Sequence, residues 1–239
     1  MKNIKLCGLL LPIILNSPIA NSEVKVLNYT GFKIWLDCSK HGPYKFTYEP
    51  RPDTGNLVRI DKFTLDNKVP KYCQQTSTST YGKGYDRGHM VPENHLDYSR
   101  QAMTEANNMT NVLPQAANMN RGAWLVTEEI TECYRDFSKL TVIGGTIWGN
   151  NTSDDYFLSS HNVTTPDAYW KIIINNTTKQ SISWIVPNSQ EATRKNIDKY
   201  LVSISDIEKI TGEKLTLPNV NKTTKLTTSW TIPKTCKKN

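Results

Sequence analysis

The 239 residues are enough for one or two domains with cores of their own, which excludes a small disulfide-stapled peptide. Hydrophobic residues at 37%, charged residues at 21% and aromatics at 9% exclude disorder over the bulk of the chain. A net charge of +7 favours an anionic partner without requiring one.

Lys2 and Lys5 precede an apolar run over 6–15, and small residues gather at Ala20, Asn21 and Ser22. The run is too short to span a bilayer, so residues 1–22 are expected to be a signal peptide, cut after Ala20 or Ser22. Residues 23–239 then form the mature, secreted or periplasmic domain, at +5 once Lys2 and Lys5 are gone. Apart from Cys7, the cysteines are Cys38, Cys73, Cys133 and Cys236, an even set that in an exported chain predicts two disulfides. All pairings are open. Cys38 and Cys73 bracket one N-terminal segment and are the favoured pair, leaving Cys133 for Cys236. No C-x-x-C spacing points to zinc.

Short β-rich runs fill 24–63, notably 33–36 and 44–48, between Gly-Pro and Pro-Asp breaks. A polar loop over 74–84 ends in Tyr81-Gly82-Lys83-Gly84. Helices are expected over 98–109 and 120–137, and strands over 140–143, 170–174 and 181–186. Two more helices follow, over 190–202 and 205–211, the second stopped by Gly212. The Thr/Lys-rich tail, 219–239, reads as loosely structured except where Cys236 ties it down. Strands and helices without regular βαβ alternation indicate the α+β class.

The residues with reactive chemistry concentrate in three blocks. Asp86-Arg87-Gly88-His89 sets a histidine beside a carboxylate, an arginine and a permissive glycine, a suitable kit for activating water next to a phosphate. Taken alone, it reads as a turn with a hydrogen-bonded histidine. Thr110-Asn111-Val112-Leu113-Pro114-Gln115 comes next, then Asn118-Met119-Asn120-Arg121-Gly122-Ala123-Trp124 with Glu128 beyond. A helix opening at Asn120 puts Trp124 and Glu128 on one broad face, with Asn120 and Glu128 about 12 Å apart along the axis. A hydrated Mg²⁺ bound directly by Asn120, with Glu128 holding its waters, fits that separation. So do a capping asparagine and a solvated glutamate.

In this order and separation, the D-R-G-H, T-N-x-x-P-Q and N-x-N-x-G-A-W-x-x-x-E blocks resemble the DNA/RNA non-specific endonuclease family, whose members share a ββα-metal motif. Weaker echoes extend the resemblance over 32–212. It implies a single α+β domain with a central, mainly antiparallel sheet flanked by helices, in which a strand hairpin delivers His89 opposite a metal-bearing helix. It further implies His89 as general base, Asn120 as the sole direct protein ligand of Mg²⁺ (Mn²⁺ a possible substitute), and Glu128 on the metal's waters. Arg59, within an R-x-x-x-F-x-x-D pattern, would neutralise the scissile phosphate, with Arg87 and Asn111 supporting the substrate and Asp86 fixing the turn. The implied partners are DNA and RNA, held by their phosphate backbones. One departure stands out: Glu132 lies one turn after Glu128, where the family often carries an arginine, and Arg135 follows three residues later. His95, near Glu93, and His41 and His161 read as structural or surface residues. Activity is expected to fall as pH drops through the histidine value near 6.5. The competing functions are a secreted phosphodiesterase acting on smaller nucleotides and an inactive nucleic-acid-binding relative.

Overall fold

The structure, a computed structural model, describes residues 23–55 and 57–236, so the expected signal peptide lies outside the described residues. Alternation of apolar and polar residues builds the first three strands, β1 (Val24–Tyr29), β2 (Phe32–Asp37) and β3 (Gly42–Tyr48). In β2, Phe32, Ile34 and Leu36 are buried while Lys33, Trp35 and Asp37 are partly exposed, the period-two signature of a strand with one covered face. The β-rich region expected to reach residue 63 ends at Tyr48, since Pro50 and Pro52 have no N–H to give a ladder. Beyond it, among the described residues up to 64, Thr64 pairs in an isolated bridge to Asn108.

β4 (Tyr85–His89) and β5 (Val112–Ala116) form a separate antiparallel ribbon. β6 (Leu140–Ile147), β7 (Ala168–Asn175) and β8 (Ser181–Pro187) complete a six-stranded antiparallel sheet in the order β1-β2-β3-β6-β7-β8. Three helices matter for the site and its support. α1 (Arg100–Ala106) is capped by Ser99 and is shorter than the expected 98–109, because Asn107 and Asn108 turn to partners around Ile60 and Thr64. α2 (Leu125–Arg135) carries Glu128. α3 (Ile204–Thr211) begins with a capping box of Ser203 and Asp206 and ends at Gly212, whose φ of +73° needs no Cβ. The helix expected over 190–202 is instead a 3₁₀ stretch, Arg194–Tyr200. Its first residue is clamped to α2 by a two-bond fork from Arg194 to Glu129 at 2.7 and 2.8 Å.

α2 and the β4–β5 ribbon cover one face of the sheet over Ile34, Phe46, Tyr48, Val142 and Ile173, while Ile204 and Ile207 of α3 cover Trp170, Ile172 and Ile174 on the other. β7 is therefore buried on both faces, Lys171 included. The disulfides are Cys38–Cys73 and Cys133–Cys236, the favoured pairing. The second ties α2 to the C-terminal segment. That segment is better anchored than expected: Trp230 packs on Tyr134 with ring centroids 5.0 Å apart, and Trp184 Nε1 donates to Ser229 Oγ at 3.2 Å. Among the described residues, no helix is long and apolar enough to cross a membrane.

Candidate active site

The ribbon delivers His89. In β4, Gly88 must be glycine: a Cβ there would lie 2.2 Å from the Gln115 side chain, which crosses from β5 beneath it. This close approach links the first sequence block to the second. His89 is 9% exposed and its Nε2 lies 2.9 Å from Asn107 Oδ1. Asn107 Nδ2 donates to the carbonyls of Ile60 and Met103 at 2.8 and 3.2 Å, so its Oδ1 can only accept. His89 Nε2 therefore carries the ring proton, leaving Nδ1 with a lone pair. Burial first, and the nearby charges of Arg59 and Arg87, push the His89 pKa down to about 4, against the pull of Asn107. Phe63 stacks on the imidazole with centroids 5.3 Å apart, and the Arg87 guanidinium lies 3.9 Å from the Phe63 centroid while donating to Thr78 O at 2.7 Å.

Across the cleft stands Asn120, and the expected capping role fails. A helical turn, Ala117–Met119, already precedes it, and Asn120 itself has helical dihedrals. It opens a π-helical stretch, Asn120–Trp124, that runs into α2. The cause is local. The Ala123 N–H donates out of the helix to Ala192 O at 3.1 Å, and Gly122 leaves room for that backbone, 3.0 Å from where a Cβ would sit. An uninterrupted α-helix would rotate Glu128 about 80° away from Asn120, and the wider π turn takes up most of that drift.

Asp86 does more than fix a turn. Its Oδ2 accepts from Asn120 Nδ2 at 2.9 Å, and both its oxygens bind the Arg121 guanidinium at 2.8 and 2.6 Å. With its nitrogen held by Asp86, the Asn120 amide has its oxygen left for a cation. Asp86→Ala is expected to weaken Mg²⁺ affinity about 10–100-fold, the usual effect of losing a group that orients a metal ligand, and calorimetric titration checks it. Unchanged affinity would leave Asp86 as a purely local brace.

Glu128 lines the same cleft, about 550 Å³ in volume, with Arg59, Arg87, His89, Asn120 and Arg121. Burial pushes the Glu128 pKa up to about 7, against the pull of Lys171, whose Nζ lies 3.9 Å from Glu128 Oε1. Arg59 is 72% exposed at the rim, its Nε 3.4 Å from Oε2 of the buried Glu93. Glu93 Oε1 also accepts from Ile60 N at 2.5 Å, so this acid sets the backbone that carries Arg59.

Asn111 is not in the cleft. It is fully buried, accepting from Val91 N and donating to the carbonyls of Val91 and Ala106 at 2.9 and 2.8 Å, so it braces the chain behind His89 instead of meeting substrate. His95 is a core residue, bonded through Nδ1 to Tyr48 OH at 2.8 Å. Arg135 is buried as well, paired with Asp53 at 3.1 Å, and does not restore the charge missing after Glu128. Phe63, Glu93, Asn107, Arg121 and Lys171 are site residues that the sequence reading missed. A lysine inside the apolar run Trp170-Lys171-Ile172-Ile173-Ile174 was the one visible signal among them.

Among the described residues, no group of three or more His, Cys, Asp or Glu lies in metal-binding geometry. The free Asn120 oxygen and the Glu128 carboxylate suit a hard, hydrated divalent ion. A histidine-bearing ribbon facing an asparagine on the helix behind it defines the ββα arrangement. Residues 13–223 match the profile of the DNA/RNA non-specific endonucleases, and the chain belongs to that family. It is 26% identical over 215 residues to "Nuclease EXOG, mitochondrial" of Mus musculus, covering 82% of this chain and 57% of that protein. It is 26% identical over 205 residues to "Nuclease C1" of Cunninghamella echinulata var. echinulata, covering 80% and 76%. The chain spans about half the length of the EXOG relatives it matches. A chain of the solved EndoG/EndoGI complex shares the fold, with a TM-score of 0.69 at 18% identity over 82% of this chain and 86% of that one.

Proposed function

We propose that the protein is an exported, divalent-metal-dependent endonuclease that hydrolyses phosphodiester bonds of DNA and RNA with little sequence preference. The observation that carries this is the cleft itself: an unprotonated histidine nitrogen, a free amide oxygen and exposed guanidinium groups line one space. His89 Nδ1 takes a proton from the attacking water, whose oxygen bonds to phosphorus as the bridging P–O bond breaks. Arg59 offsets the charge that builds on the non-bridging oxygens, and Arg87 and Arg121 hold neighbouring phosphates. Asn120 and Glu128 would hold the cation and its water shell. When bound, Mg²⁺, or Mn²⁺ in its place, supplies Lewis-acid stabilisation of the leaving oxygen. Charged and amide groups of this kind read backbone rather than base edges, which supports low sequence preference. Two disulfides and the N-terminal apolar run with its two lysines support export to an oxidising compartment.

The test uses protein recovered from the medium or periplasm, its first residue read by sequencing, with supercoiled plasmid and structured RNA in Mg²⁺ and in EDTA. Degradation of both polymers in Mg²⁺ alone, by a chain starting within residues 21–23, is expected. Intact polymers in both Mg²⁺ and Mn²⁺ would overturn the nuclease, and a retained leader would overturn the export.

A further inference from the structure

Lys171 is the oddest residue of the core. It is fully buried in the middle of β7, on the face it shares with Tyr169 and Ile173, and that face is covered by α2. Its Nζ makes no hydrogen bond among the described residues. It lies instead 3.8 Å from the centroid of the Trp124 ring and 3.9 Å from Glu128 Oε1. Burying an ammonium with unfilled donor capacity is costly, and a buried ion pair is a poor source of stability that an apolar residue of similar volume usually matches or exceeds. The core alone therefore gives no reason for a lysine here. The site does. Glu128 shares α2 with the acids Glu129 and Glu132, Glu129 is engaged by Arg194, and the arginine of the last turn, Arg135, is turned to Asp53. Among the described residues, no cation of α2 is paired with Glu128; its carboxylate is drawn by Lys171 from the sheet and, more weakly, by Arg59 from the cleft rim.

We propose that Lys171 is a positioning residue: its ammonium, pinned against the Trp124 indole, holds the Glu128 carboxylate turned toward Asn120, where it anchors the waters of the bound cation. The side-chain cation that meets Glu128 comes from beneath, from β7. Trp124 fixes the geometry from both sides, since it closes the π turn that begins at Asn120 and presents its ring to Lys171. This role rests on the proposed metal site but not on nuclease action, so it is tested by metal binding.

Mg²⁺ affinity is measured by calorimetry for wild type, K171M, E128Q and the double variant, alongside thermal melting and plasmid cleavage. K171M is expected to bind Mg²⁺ about 10–100-fold more weakly while melting no lower than wild type, and the double variant to bind no more weakly than E128Q. Wild-type Mg²⁺ affinity in K171M, or full additivity in the double variant, would overturn the role. Should K171M fail to melt cooperatively, the lysine side-chain NMR signals of wild type decide. The Lys171 signal must move on Mg²⁺ addition and stay still in E128Q, and a signal unmoved in wild type at saturating Mg²⁺ overturns the proposal. A wild type that binds Mg²⁺ but spares plasmid would sink the nuclease reading and leave the titrations to judge Lys171.

Discussion

His89→Ala is expected to lower kcat on plasmid by about 10²–10⁴-fold, the range that a positioned general base contributes. DNA affinity in EDTA should change little, because Arg59, Arg87 and Arg121 are untouched. The pH behaviour identifies the base further. With the His89 pKa near 4, the imidazole is already neutral across the neutral range, so the acid limb should not sit at the ordinary histidine value. Glu128, near 7 without metal, is the group whose ionisation makes activity rise with pH, and Mg²⁺ should shift that limb to lower pH. NMR of the His89 ring gives the direct check: a midpoint near 4 is expected, and one at or above 6.5 would show that the base is exposed. Stability follows the same shift. The unfolded chain binds a proton to this histidine below its ordinary 6.5, while the folded one resists until about 4. The stability belonging to neutral His89 is thus complete above 6.5 and lost as pH falls through that window to about 4, by up to about 3 kcal/mol. Removing His89 should flatten that part of the melting profile. A cleavage rate within a few-fold of wild type in His89→Ala would dismiss it as the base.

Asn120→Ala should be at least as damaging. It removes the amide oxygen proposed to contact the cation directly, and metal stabilisation of several kcal/mol translates into about three orders of magnitude in rate. Saturating Mg²⁺ should restore little of it. Asn120→Asp is expected to be an incomplete substitute: it keeps an oxygen but loses the donor to Asp86, at 2.9 Å, and sets two carboxylates against each other. Calorimetry of Mg²⁺ binding beside the cleavage assay separates the two effects. If Asn120→Ala kept wild-type Mg²⁺ affinity, the ion would have to be held elsewhere, and Glu128 would become the ligand to test.

The strands were legible because apolar alternation over β2 and β3, and short apolar, β-branched runs within β6–β8, are local properties of the chain. The blocks around His89 and Asn120 were legible because each is compact in sequence. What was hidden depends on contacts between distant segments. The π turn after Asn120 exists because Ala192 O, about seventy residues away, draws off the Ala123 N–H, and no periodicity in the helix announces that. The same contact lies just before the 3₁₀ stretch, where propensity alone read an ordinary helix. Asn111 has the composition of a site residue, yet its amide is consumed by the backbone of Val91 and Ala106, and composition cannot separate those fates. Phe63 sat unread inside the Arg59 pattern although its ring backs His89.

The bond between Cys133 and Cys236 gives α2 a timetable. Its two sulfurs lie 103 residues apart, and a ribosome adding about 5–20 residues per second needs about 5–20 s to travel from one to the other. Through that interval α2 has its glutamate but not its covalent anchor, and β6, β7 with Lys171, and β8 are made inside the loop that the bond will close. In a reducing compartment the interval never ends. Closure of the loop therefore marks the completion of the chain to Cys236 and, with the proposed export, would also mark its arrival where thiols oxidise.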